Sequence, residues 1–146
     1  MRDEEGMELA YRQAKKSFDE GGVPVGAALV HEGSVVAVGH NRRVQAGDPI
    51  AHGEMDCLRS AGRRKNYKAC VLYTTLSPCM MCAGTAVQFG IEKVVIGEAE
   101  NFAGNIAFLR ERGIEVIVLD DARCKALMRE FIAKRPDLWF EDIAED

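Results

Sequence analysis

At 146 residues the chain has the length of one domain able to bury a full core, and residues 1–146 are read as a single domain. Apolar residues at 47% and charged residues at 29% mark an ordinary soluble globule; no stretch is long and apolar enough for a membrane partner, and the opening Met1-Arg2-Asp3-Glu4-Glu5 offers no signal peptide, so a cytoplasmic setting is expected. A formal net charge of −4, with one short basic cluster at Arg63-Arg64-Lys65 and Lys68, argues against a nucleic-acid partner.

From Glu4 to about Glu20, Met7, Ala10, Tyr11, Ala14 and Phe18 recur at helical spacing and predict an amphipathic helix, which Gly21-Gly22 ends. Val25 to Val30 and Ser34 to Gly39 read as a β-hairpin, with His31-Glu32-Gly33 as its turn. His40 to Ile50 is a polar loop. Within it Asn41 is either a turn residue or, because a carboxamide both donates and accepts, a reader of a planar heterocycle's edge. A second helix is predicted over Ala51 to Gly62, followed by a loop to Lys68 and a strand over Cys70 to Leu76. The third helix, Cys79 to Phe89, is apolar nearly all round and is expected to be covered on two sides, by the sheet and by a second subunit.

Lys93 to Gly97 is a fourth strand, leading to a polar loop in which Phe102 is either a plug on the core or a stacking surface. A helix over Asn105 to Arg112 and a strand over Glu115 to Leu119 follow. Asp120-Asp121 then caps a helix carrying Cys124, Leu127, Met128, Phe131 and Ile132, and Pro136 stops it. The tail from Asp137 to Ile143 holds Trp139 and Phe140, which must dock on the core or close a pocket. Strands alternating with helices after the hairpin predict an α/β fold, a three-layer α/β/α sandwich with a five-stranded mixed sheet. Of the five cysteines, Cys57, Cys70 and Cys124 are expected to be reduced, buried, apolar residues.

The chemistry concentrates in two short stretches. In Ser77-Pro78-Cys79-Met80-Met81-Cys82, Ser77 is read as an N-cap and Pro78 as the first helical residue. Cys79 and Cys82 then lie one turn apart, where the helix dipole favours thiolates. Upstream, His52 adds a third donor of the four that a tetrahedral zinc accepts. Glu54, two residues on, is poorly placed to share the ion and well placed to move protons at a water on it. Two thiolates and a neutral imidazole cancel the zinc charge, so that water needs a base: Glu54 is read as general base and then general acid. His-x-Glu followed by Pro-Cys-x-x-Cys is the arrangement of zinc-dependent base deaminases. The plainer alternative is a closed structural zinc with a fourth ligand from Cys57, Cys70 or Cys124.

With these residues in place, the chain resembles the cytidine deaminase superfamily, and within it the small fungal-type cytosine deaminases. The likeness rests on residues 21–26 (Gly-Gly-Val-Pro-Val-Gly), 39–41 (Gly-His-Asn), 52–54 (His-Gly-Glu), 72–79, 97–102, 120–125 and 135–143 (Arg-Pro-Asp-Leu-Trp-Phe-Glu-Asp-Ile). The resemblance implies hydrolytic deamination of a free nucleobase, cytosine to uracil plus ammonia, within pyrimidine salvage. It implies one Zn2+ per subunit, with a bound water or hydroxide, held by His52, Cys79 and Cys82, with Glu54 catalytic. It places Asn41 on the pyrimidine edge and Asp142 on the exocyclic amine, with the Gly53 and Cys79 backbones also on the base. Leu76, Phe102, Trp139 and Ile143 would surround the ring, and the assembly would be a homodimer. One departure stands out: Val44 occupies the place of a pocket phenylalanine. The extra room admits 5-methylcytosine, isocytosine, isoguanine, guanine or creatinine as alternative substrates.

Overall fold

The computed structural model describes residues 1–145. In chain order the elements are α1 (Asp3–Asp19), β1 (Gly26–His31), β2 (Ser34–His40), α2 (Arg43–Ala46), α3 (Gly53–Ala61), β3 (Cys70–Leu76), α4 (Met80–Phe89), β4 (Lys93–Glu98), α5 (Ile106–Glu111), β5 (Glu115–Val118), α6 (Ala122–Lys134) and α7 (Pro136–Asp142).

Alternation along the inner strands dictates the layering. Ala27 and Leu29 of β1, Leu72 of β3, and Val94 and Ile96 of β4 pack with Cys57, Leu58, Ala83, Ala86 and Leu109 from α3, α4 and α5. The residues between them, Ala28, Val30, Tyr73 and Val95, pack with Met7 and Ala10 of α1 and Cys124 of α6. A sheet apolar on both faces must be covered on both, which gives the predicted sandwich. The strand order is β2-β1-β3-β4-β5. β1 pairs antiparallel with β2 and β3, while β3, β4 and β5 run parallel, so the five-stranded sheet is mixed as expected.

Four local expectations are corrected. His31 belongs to β1 and pairs with Ser34, leaving Glu32 and Gly33, both at positive φ, as a two-residue turn. The loop after β2 contains a helical turn, α2, ended by left-handed Gly47. Helix α4 starts at Met80, with Cys79 as its N-cap, so neither Ser77 nor Pro78 opens it. The tail is a helix, α7, because Pro136 both stops α6 and suits the first turn of a new helix. Trp139 on α7 packs with Val23, Val25, Leu76, Met128 and Phe131 in a third apolar cluster beyond the end of β3. Among the described residues, no helix is long and apolar enough to cross a membrane.

Candidate active site

Two helix starts face each other beyond the end of β3. His52 is the N-cap of α3 and Cys79 the N-cap of α4, with Cys82 in the first turn. His52 Nδ1 lies 3.4 Å from Cys79 Sγ and 3.9 Å from Cys82 Sγ, and the sulfurs are 3.7 Å apart. A tetrahedral zinc, with bonds of about 2.3 Å to sulfur and about 2.0 Å to nitrogen, requires donor separations of about 3.5–3.8 Å. The three donors therefore fit zinc as they stand. They form the one His/Cys/Asp/Glu cluster of this kind among the described residues, and Cys57, Cys70 and Cys124 are not in it. Asp142 Oδ1, 3.5 Å from His52 Nε2, fixes which ring nitrogen faces the sulfurs.

The local charges belong to one coupled group. The hydrogen bond with the Cys82 thiol holds Cys79 down at about 4, and the same interaction with burial pushes Cys82 well up. Burial pulls the His52 imidazole down, but the Cys79 sulfur, Asp142 and Glu54 outweigh it and raise the group to about 9. Glu54 is buried at the second residue of α3, and burial, reinforced by the Cys79 charge, raises its carboxyl to about 7. A carboxyl that titrates near neutrality is suited to taking and returning a proton.

Glu54, His52 and Cys79 line a small cavity of about 20 Å³, room for about one water. Asn41 and Asp142 supply polar groups at its wall, and Val25, Leu76, Phe102, Trp139 and Ile143 its apolar lining. Gly53 is buried against the residue before β1, where a Cβ would stand 2.7 Å from the Val25 carbonyl oxygen. Val44 is not in the lining; it lies on α2, 39% exposed.

The amide of Asn41 is oriented by its neighbours. Its Oδ1 accepts from the Arg43 N–H (2.9 Å), its Nδ2 donates to Asp142 Oδ1 (3.1 Å), and its own carbonyl accepts from Ser17 Oγ (2.8 Å). Sequence reasoning missed two supporting acids. Asp56 bonds the segment around Asn41. Glu98 is fully buried at the end of β4, where its carboxylate accepts from the N–H groups of Glu100 and Asn101 and from Asn101 Nδ2 at 2.8–2.9 Å. Asn101 Nδ2 also donates to the Lys125 carbonyl on α6 (3.1 Å). This cage sets the loop bearing Phe102, whose ring meets Trp139 edge-on at 6.0 Å. Ser77 serves the same loop, donating to the Ala103 carbonyl at 2.8 Å instead of capping α4. A strand ending in Glu98 with Asn101 three residues on is the unread signal in the sequence for this cage.

The family of the cytidine and deoxycytidylate deaminase zinc-binding region matches residues 1–98. The chain belongs to this family. Its similarity to the cytosine deaminase of Candida albicans is 47% identity over 146 residues, covering 98% of this chain and 97% of that protein. It is 41% identical over 103 residues to a tRNA-specific adenosine deaminase of Aquifex aeolicus, covering 68% of each. Among solved structures, the guanine deaminase of Nitrosomonas europaea superposes with a TM-score of 0.72 at 27% identity, covering 88% of this chain and 83% of that one. As a deaminase of this family the protein is a zinc hydrolase, with His52, Cys79 and Cys82 as the donors that fit the ion. Bound zinc supplies a Lewis acid that makes a water nucleophilic near neutral pH.

Proposed function

We propose that the protein converts free cytosine to uracil and ammonia, and that the residues of the cavity divide that work. The observation that carries the proposal is the end-to-end likeness to a cytosine deaminase, joined to a small cavity whose walls pair a carboxamide and a carboxylate with apolar side chains. Asn41 reads the pyrimidine edge, Asp142 accepts from the exocyclic amine, and the Gly53 and Cys79 backbones complete the polar contacts. Leu76, Phe102, Trp139 and Ile143 sandwich the ring and keep bulk water out. Glu54 takes a proton from the attacking water as its oxygen adds to the amine-bearing carbon. It returns protons to the ring nitrogen and the departing amine, so that water and cytosine leave as uracil and ammonia.

The likeness to a cytosine deaminase over nearly the whole chain supports a single-ring base over a purine. Steady-state rates of the zinc-loaded protein on cytosine, 5-methylcytosine, isocytosine, isoguanine, guanine and creatinine test the assignment. Cytosine is expected to give the highest kcat/KM; a higher value for guanine or creatinine overturns it. The reaction belongs to pyrimidine salvage in the cytoplasm. We further propose a homodimer through the outer side of α4, where Met80 is 54% and Phe89 41% exposed. The acidic balance opposes a nucleic-acid partner.

A further inference from the structure

Asn41 is bracketed by two residues that a single side chain holds. Asp56, in the first turns of α3, is buried, its side chain 8% exposed. Its Oδ2 accepts from the backbone N–H of His40 at 3.0 Å, and its Oδ1 accepts from Arg42 Nε–H at 2.9 Å. The two donors flank Asn41 in the chain, and the acceptor stands on the helix whose start carries His52 and Glu54. The backbone of Asn41 is anchored elsewhere, its N–H donating to the Val25 carbonyl at 2.9 Å and its carbonyl accepting from Ser17 on α1, while its carboxamide meets the Arg43 N–H and Asp142. Packing leaves the bracket little slack. A Cβ at Gly39 would collide with the Cys57 backbone, so the end of β2 lies directly against the main chain of α3.

We infer that Asp56 is a positioning residue, which fixes the Asn41 carboxamide relative to Glu54 and His52 so that the group reading the base and the group moving protons share one helix as their reference. This inference rests on the substrate role proposed for Asn41. The Arg42–Asp56 pair has little value as an ion pair for stability, because Arg42 is 43% exposed and such pairs contribute little. Its geometric consequence is larger. Misplacement of a substrate-orienting group by about 1 Å costs on the order of a hundredfold in rate.

The test is a double-mutant cycle in kcat/KM for cytosine, at one zinc per chain, with Asp56→Ala, Arg42→Ala and Asn41→Ala alone and in pairs. Arg42→Ala, the milder change, is expected to lower kcat/KM about tenfold and Asp56→Ala about a hundredfold, with zinc content unchanged. In the Asn41→Ala background the same changes are expected to cost less than about twofold, because Asp56 acts through Asn41. Asp56→Asn, which keeps an acceptor for the His40 N–H, is expected to retain more activity than Asp56→Ala. Equal losses in both backgrounds, or an Arg42→Ala variant with unchanged kcat/KM, overturn the inference. If Asn41→Ala itself leaves kcat/KM unchanged, the substrate role of Asn41 fails, an outcome distinct from failure of Asp56 alone. Should Asp56→Ala not fold, Arg42→Ala and Asp56→Asn carry the same comparison.

Discussion

Burial of Glu54 sets up a conflict between stability and chemistry. Its carboxyl, raised to about 7, binds a proton in the folded chain at pH values where the unfolded chain has lost it. Its contribution to stability therefore falls as pH rises from the ordinary carboxyl value of 4.5 through about 7. In the zinc-free protein Glu54→Gln is expected to raise Tm, with a wider gain at pH 8 than at pH 5. A gain that does not vary with pH contradicts the burial argument. His52, Glu54, Cys79 and Cys82 were legible because their spacing is local: each half of the motif is a helix start, and metal chemistry restricts the residue types. Ser77 was misread because local rules favour Ser-Pro as a helix opening, whereas its hydroxyl is taken by Ala103, 26 residues away. Asp56 was illegible for a related reason, since its partners lie 14 and 16 residues back along the chain.

The elements that close the cavity, α7 and the loop after β4, are held by long-range contacts more than by their own sequence. Glu98 satisfies three N–H donors of that loop, and each buried donor left without a partner costs about 1–3 kcal/mol. Glu98→Ala is therefore expected to destabilise the protein by roughly 2–5 kcal/mol, measured by denaturant unfolding. It is also expected to red-shift emission from Trp139, the single tryptophan, as the loop releases Phe102. Unchanged stability and emission contradict the cage. Helix α7 went unrecognised because Pro136 reads as a terminator, and only packing of Trp139 on α6 shows that it also begins a helix. The residues alone left Phe102 and the tail open between plug and pocket wall. In the fold they serve both purposes, sharing one apolar cluster and one cavity.

For the molecule as a whole, the five-stranded mixed sheet and the two helical layers followed from pattern: a hairpin, then strands alternating with helices. The apolar outer side of α4 was equally legible, and it prompts the dimer. Gly84 on α4 offers a clean probe, because a Cβ there would meet nothing within 4 Å in the single chain. Gly84→Arg is expected to leave Tm of the monomer unimpaired and to convert a sedimenting dimer into a monomer; a persistent dimer excludes α4 as the interface.

The most direct measurement compares the parent protein with Glu54→Gln, both carrying one zinc per chain, for uracil and ammonia released from cytosine. The parent is expected to release both in equal amounts, and Glu54→Gln to hold its zinc while turning over at least about a hundredfold more slowly. Full turnover by Glu54→Gln, or no product from the zinc-loaded parent, would contradict the account.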